Sequence, residues 1–232
     1  DRKNYYYSDL PKGFQITQDK RPIGRNGYLM IEVDGEEKRI DIERLHMEED
    51  TAKQLHLTDY SLIDYNRAGI PLIEIVTKPC IRSGKEASAY LEALRQVFLY
   101  TEVSDAKLEE GSMRCDVNVS IRPFGQEAFG TRTEIKNLNS ISNVQKAIDY
   151  EAGRQQEVIE SGGEVLQETR RYDEVEKVTT VMRSKGDAVD YKYYTEPNIL
   201  PIRLDHAWVE RIKNELPMMA GEREKHYEEE YG

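Results

Sequence analysis

The chain has 232 residues and a formal net charge of −11, with 38% hydrophobic and 33% charged residues. This composition allows one large domain, or one domain with a small appendage, with a buried core beneath a strongly charged surface. No apolar run approaches the ~20 residues that a bilayer span requires. The negative charge argues against a broad phosphate-binding surface, since Lys and Arg provide such surfaces.

A β-hairpin is the first clear element that the sequence predicts. Two alternating stretches, 28–33 and 38–45, flank an Asp-Gly turn signal at positions 34–35. The second stretch places Ile40 and Ile42 on one face.

An acidic run, Glu48, Glu49 and Asp50, follows the hairpin. It fits either a solvated acidic turn or part of a metal site. Because neighbouring residues of a strand point in opposite directions, only one of Glu48 and Glu49 should face such a site.

The other elements follow from periodicity, caps and breakers. They are a loop with a short strand at 5–17, a strand at 72–76, a helix from Ser83 or Gly84 to Tyr100, strands at 113–121 and 131–137, a helix from Ser140 to about Ser161, strands at 166–172 and 178–183, a helix capped by Asp205 and a charged helical stub at 222–231. This order predicts an α+β fold, mostly antiparallel, with a body at 1–204 and the start of a helical region at 205–232.

Two of these strands carry a polar face. The two polar faces are made by Arg114, Asp116 and Asn118 and by Arg132, Glu134 and Lys136. Either face alone could simply meet water. If the strands pair, however, one sheet face combines carboxylates, which hold Mg²⁺, with cations, which meet phosphate oxygens. The pairing would therefore suit phosphoryl chemistry.

Other common chemistries lack support in the sequence. No glycine-rich nucleotide motif and no Ser-His-Asp arrangement is present. Cys80 and Cys115 stand alone, without metal-ligand spacing, which indicates reduced thiols.

Several long segments resemble the B subunit of glutamyl/aspartyl-tRNA amidotransferase. They are DRKNYYYSDLPKGFQITQ from Asp1, RLHMEED from Arg44, YSLIDYNRAGIPLIEIVTKP from Tyr60, VSDAKLEEGSMRCDVNVSIRP from Val103, GTRTEIKNLNSI from Gly130, QETRRYDE from Gln167 and YKYYTEPN from Tyr191. Their shared order makes the resemblance specific. It implies a glutamine synthetase-like body, a curved and mainly antiparallel sheet backed by helices.

The resemblance implies a ligase. Such a protein uses ATP and Mg²⁺ to phosphorylate the side-chain carboxyl of glutamate or aspartate esterified to tRNA. Ammonia from a partner amidase subunit then displaces phosphate, while a third, small subunit holds the other two together. The partners would be these two subunits and misacylated tRNA, with no membrane involved, in the bacterial cytoplasm in preference to an organelle.

Residue by residue, the resemblance places the metal and catalytic positions on Glu49, Asp116 and Glu134, and a lysine near the ammonia outlet on Lys3. Our inference from the shared sheet face assigns phosphate or nucleotide contact to Arg114, Asn118, Arg132 and Lys136. An ordinary ion pair is the alternative for Lys3. The turn after the acidic run departs from the family pattern, which commonly has Ala-Gly-Lys where this chain has Thr51, Ala52 and Lys53.

Because the chain opens with Asp1 rather than Met, we expect a fragment that lacks the family's N-terminal segment and its C-terminal, tRNA-gripping tail. Two other interpretations remain open. One is a non-catalytic scaffold that docks the amidase, and the other is a stand-alone ligase of the glutamine synthetase type that acts on a free amino acid.

Overall fold

The computed structural model describes residues 1–184 and 191–232. In chain order its elements are β1 (Arg2–Asn4), β2 (Phe14–Ile16), β3 (Gly24–Val33), β4 (Glu36–Glu49), β5 (Lys53–His56), β6 (Ser61–Asp64), β7 (Pro71–Thr77), α1 (Gly84–Tyr100), β8 (Val117–Val119), β9 (Thr133–Lys136), α2 (Ile141–Glu160), β10 (Glu168–Asp173), β11 (Val178–Ser184), β12 (Tyr193–Tyr194), α3 (His206–Glu215) and α4 (Ala220–Tyr231).

The strands of the described residues form four small sheets, none of which closes into a barrel. Their strand orders are β12-β1-β2, β3-β4-β7, β5-β6 and β11-β10-β9-β8. The pairing is antiparallel except between β9 and β10, which run parallel. The predicted mixture of helices with mostly antiparallel strands is therefore confirmed.

The chain divides into two compact units. Within the described part, the first unit comprises 1–28, 40–80 and 191–205, and the second comprises 29–39, 81–184 and 206–232. The predicted boundary between 1–204 and 205–232 concerns the longer protein and stays a prediction. No helix among the described residues combines the length and apolar character needed to cross a membrane.

The predicted hairpin is confirmed and is longer than the alternation indicated. Its turn residues Asp34 and Gly35 have φ angles of 53° and 82°. Positive φ at both positions is the signature of the tight turn whose twist matches two antiparallel strands. The Asp-Gly pair thus determines where β3 ends and β4 begins.

Both predicted long helices are confirmed, and a serine side chain caps the start of each. Ser83 accepts a hydrogen bond from the N–H of Glu86 at the start of α1. Ser140 accepts one from the N–H of Asn143 at the start of α2. These side chains satisfy N–H groups that have no partner within a first helical turn.

The core of the second unit lies between its helices and its four-stranded sheet. Ile135 of β9 and Ala147 of α2 are completely buried, and Val144 is 1% exposed. The strand predicted at 113–121 is shorter than expected, because only Val117–Val119 pairs with β9. The apolar alternation continues beyond the hydrogen-bonded ladder, so periodicity overestimated the strand.

Candidate functional site

Strands β4 and β7 bring three possible metal ligands together in the first unit. They pair antiparallel, with His46 opposite Glu74 and Glu48 opposite Leu72. Residues that are opposite each other, or two apart on one strand, share a sheet face. One ligand atom from each of His46, Glu48 and Glu74 accordingly lies within 4.8 Å of the others.

The histidine of this group is buried, and one of its ring nitrogens has no hydrogen-bond partner among the described residues. His46 is 5% exposed, and its Nε2 lies 3.6 Å from Oε2 of Glu48. Its Nδ1 is buried and has no hydrogen-bond partner among the described residues. A buried polar nitrogen without a partner is costly, and a neutral imidazole is a common metal ligand. One nitrogen and two carboxylates fit a divalent cation, with the oxygens suited to Mg²⁺.

The three ligands line a cleft of about 480 Å³ in the first unit. Cations line the same cleft, namely Lys3, Arg25 and Arg44. The Arg44 guanidinium lies 3.9 Å from Oε1 of Glu74. Carboxylates beside cations in one concavity can hold both a metal ion and the oxygens of a phosphate.

Lys3, predicted to lie near an ammonia outlet, enters this cleft from β1. Its partner across the ladder is Tyr193 of β12, and its ammonium lies 4.4 Å from the centroid of the Tyr191 ring. An aromatic face attracts a cation without neutralising it. Among the described residues, this ring contact positions the lysine, and its place at an ammonia outlet stays a prediction.

Glu49 lies on the other face of β4 from Glu48, as the alternation requires. Both of its carboxylate oxygens contact the Lys12 ammonium, and Oε2 accepts a 2.7 Å hydrogen bond from the N–H of Ile16. The carboxylate thus ties β4 to β2. Its assignment as a metal ligand stays a prediction.

A second group lies on the four-stranded sheet of the second unit. Asn118 of β8 stands opposite Glu134 of β9. The Lys136 ammonium lies 2.9 Å from Oδ2 of Asp116 and 3.7 Å from Oε1 of Glu134. Thr133 of the same strand is completely buried on the opposite face. The pairing of the two polar strands, which the sequence left open, is therefore observed, with an ammonium between two carboxylates.

Arg114 and Arg132 lie outside the strands, before β8 and β9 respectively. Both are exposed. Strand alternation placed them on the polar face, but the hydrogen-bonded ladder does not reach them. Their contact with phosphate stays a prediction.

The thiol of Cys115, which lies between the predicted site residues Arg114 and Asp116, is a poor nucleophile. Burial and the neighbouring Asp116 raise the pKa of the Cys115 thiol to about 12. A thiol with so high a pKa is not ionised at neutral pH, and the thiolate is the nucleophile and metal ligand.

The sequence analysis missed two of the three possible metal ligands in the cleft, Glu74 and His46. Glu74 is the only charged residue in the strand Pro71–Thr77, and this was the one signal in the sequence that could have singled it out. His46 stands two residues before Glu48, so strand alternation alone could have placed the two side chains together.

Comparison with known proteins yields a family match and close relatives. The GatB/GatE catalytic domain matches residues 1–210. The chain is 56% identical over 232 residues to the B subunit of the aspartyl/glutamyl-tRNA(Asn/Gln) amidotransferase of Staphylococcus saprophyticus. It is 57% identical to that of Staphylococcus aureus and 54% identical, over 237 residues, to that of Carboxydothermus hydrogenoformans. Each alignment covers 100% of this chain and 49% of the relative, so the chain spans about half the length of the curated relatives it matches.

Proposed function

We propose, because the chain belongs to the GatB/GatE catalytic domain family, that it is the carboxyl-activating half of a tRNA-dependent amidotransferase subunit. Its relatives are named as the B subunit of aspartyl/glutamyl-tRNA(Asn/Gln) amidotransferase. The proposed reaction amidates glutamate or aspartate esterified to tRNA, which makes the protein a ligase subunit.

The proposed reaction has two steps. In the first, an oxygen of the side-chain carboxylate attacks the γ-phosphorus of ATP, and the bond to the β-phosphate oxygen breaks to release ADP. In the second, ammonia attacks the acyl carbon, the carbon–oxygen bond breaks to release phosphate, and the nitrogen loses a proton. Both steps develop negative charge on oxygen, so fixed cations and a divalent metal favour them.

The observation that carries the proposal is the cleft in which His46, Glu48 and Glu74 lie within 4.8 Å of one another beside cationic side chains. These three residues would hold Mg²⁺, which when bound would neutralise phosphate oxygens. Arg25 and Arg44, which line the same cleft, would contact phosphate. Lys3 would stand where ammonia arrives, held by the Tyr191 ring.

In the second unit, the proposal assigns Asp116, Glu134 and Lys136 to the nucleotide. The ammonium of Lys136 would bind phosphate oxygens, and its two neighbouring carboxylates would orient it or hold metal. Asn118, opposite Glu134, can donate a hydrogen bond on the same face. These roles are supported by the shared sheet face and by the family resemblance.

The partners in this proposal are an amidase subunit that releases ammonia, a small third subunit that holds the assembly together and misacylated tRNA, working together in the bacterial cytoplasm. The word "subunit" in the relatives' name supports an assembly. We propose the glutamine synthetase type of fold for the complete catalytic body, supported by the family resemblance and by the helices and small antiparallel sheets.

The test is phosphate release from ATP by the full complex, with and without misacylated tRNA, as a function of Mg²⁺. We expect Glu48→Gln and Glu74→Gln each to lower tRNA-stimulated release by roughly a hundredfold and to raise the Mg²⁺ requirement, because each removes a charged ligand. Glu36→Gln, an exposed change on the same strand as Glu48, is the matched control and should leave release unchanged.

Glu49→Gln in the same assay tests on which side of β4 the metal binds. A larger loss for Glu49→Gln than for Glu48→Gln would move the metal to the Lys12 side of β4. Unchanged release in both variants would favour the scaffold interpretation, and full activity without tRNA or amidase would favour a stand-alone ligase.

A further inference from the structure

Strand β10 carries part of the QETRRYDE segment, to which the proposed function gives no role. It runs parallel to β9, with Thr169 opposite Glu134 and Arg171 opposite Lys136. Residues in register on neighbouring strands share a sheet face. Thr169 therefore stands on the face that holds the proposed nucleotide residues.

Thr169 makes a direct bond to one of those residues. It is 1% exposed, and its Oγ1 donates a 2.9 Å hydrogen bond to Oε2 of Glu134. A hydroxyl that donates to a carboxylate makes a short and comparatively strong bond. Threonine is also stiff at χ1, because two heavy atoms branch from its Cβ. The donor is therefore rigid and shielded from water.

We propose that Thr169 is a positioning residue for Glu134. Its hydroxyl fixes Oε2, which sets the rotation of the carboxylate and keeps Oε1 on the side of the Lys136 ammonium, 3.7 Å away. This inference rests on the proposed function, in which Glu134 and Lys136 handle metal and phosphate. It adds that the orientation of Glu134, and not only its charge, is built into the sheet.

A merely structural role for Thr169 predicts something different. A buried hydroxyl whose bond is lost costs stability wherever it stands. A positioning role predicts in addition that the dependence on metal and nucleotide changes, since a carboxylate free to rotate holds its ligand less well. Measurements of metal and nucleotide binding therefore distinguish the two roles, whereas measurements of stability do not.

The chain offers a matched control on the neighbouring strand. Thr133 is completely buried, and its Oγ1 accepts a 3.3 Å hydrogen bond from Nε2 of Gln155. It differs from Thr169 in facing helix α2 rather than the polar side of the sheet. Replacing either threonine by valine removes a hydroxyl and keeps a side chain that branches at Cβ.

The experiment compares Thr169→Val, Thr169→Ser and Thr133→Val in the full complex. It measures the half-saturating Mg²⁺ concentration for tRNA-stimulated phosphate release, the binding of Mn²⁺ with a non-hydrolysable ATP analogue by calorimetry, and the urea midpoint. We expect Thr169→Val to weaken Mn²⁺ and analogue binding and to raise the Mg²⁺ requirement, each by roughly tenfold. Thr169→Ser keeps the donor and should stay within roughly twofold.

Thr133→Val should lower the urea midpoint while leaving the Mg²⁺ requirement and analogue binding unchanged. If Thr169→Val prevents folding, Thr169→Ala also lacks the hydroxyl and fits the site, and the same loss of binding is expected from it. Equal effects of Thr169→Val and Thr133→Val on every measurement would overturn the inference, as would equal losses in the valine and serine variants.

Glu134→Gln distinguishes the failure of this inference from the failure of the proposed function. If Glu134→Gln abolishes phosphate release while Thr169→Val changes only the urea midpoint, the nucleotide face stands and Thr169 is structural. If Glu134→Gln leaves phosphate release and the Mg²⁺ requirement unchanged, the proposed role of this face is wrong. The inference about Thr169 is then wrong as well.

Discussion

Removal of the buried carboxylate of Glu151 tests what holds the four-stranded sheet of the second unit in place. Glu151 lies on α2 and is completely buried. It accepts hydrogen bonds of 2.9 and 2.6 Å from the Arg154 guanidinium, 2.9 Å from Gln155 and 2.8 Å from Thr179. Burial opposes ionisation, but these bonds together outweigh it and keep the pKa of Glu151 below its ordinary value.

The expected loss of unfolding free energy follows from the two arginines that lose a carboxylate partner in Glu151→Ala. Arg154 loses a bidentate partner, and the Arg170 guanidinium, whose Nε lies 3.5 Å from Oε2 of Glu151, loses a second carboxylate. Breaking a buried ion pair by removing one partner costs about 3–5 kcal/mol. Because Arg170 keeps its contact with Glu168, we expect a loss of unfolding free energy near the lower end, about 3 kcal/mol.

Urea unfolding of the full-length protein measures this loss, with hydrogen exchange at the α2 and β10 amides to localise it. Glu157→Ala is the control on the exposed side of the same helix, where surface substitutions change stability by less than about 0.5 kcal/mol. A loss below about 1 kcal/mol for Glu151→Ala would refute the reasoning. The sheet would then be held by its apolar core rather than by the buried charges.

Two further predictions concern the N-terminal sheet and the nucleotide face. The pKa of Glu196 is lowered from 4.5 to about 2, chiefly by the hydrogen bond from Arg2. A lowered pKa stabilises the fold fully above about pH 4.5 and loses that contribution as the pH falls towards 2. The urea midpoint of Glu196→Gln should therefore be below wild type at neutral pH, and the difference should close on acidification; a gap that widens instead would contradict it. Asp116→Asn, which removes the negative charge 2.9 Å from the Lys136 ammonium, should abolish tRNA-stimulated phosphate release while glutaminase activity persists, and unchanged release would make this face structural.

Local signals in the sequence were sufficient for the elements that local chemistry determines. The Asp-Gly pair at positions 34–35 and the serines that cap α1 and α2 act on their immediate neighbours. The polar faces of β8 and β9 were predictable for the same reason, because the period of a strand is fixed at two. Whether the two strands pair was left open by the sequence, and the structure brings Asp116, Glu134 and Lys136 together by that pairing.

Pairing between distant segments was not predictable in the same way. Lys3 on β1 pairs with β12, about 190 residues further along the chain. Neither segment contains a sequence signal that identifies its partner strand. The parallel pairing of β9 with β10 likewise requires the chain to cross over through α2. The contact between Thr169 and Glu134 depends on that crossover, so the role of the QETRRYDE segment could not be derived from its own residues.

The register of β4 contains one irregularity that strand alternation could not reveal. Alternation counted from Ile40 and Ile42 would put Glu48 on their face. The register between β4 and β7, however, shifts between Ile42 and Arg44, and an extra residue in one strand moves every later side chain to the opposite face. Beyond the shift Glu48 joins Glu74, across the ladder on β7. Such bulges redirect a side chain, so alternation read from the sequence could not have placed Glu48 beside Glu74.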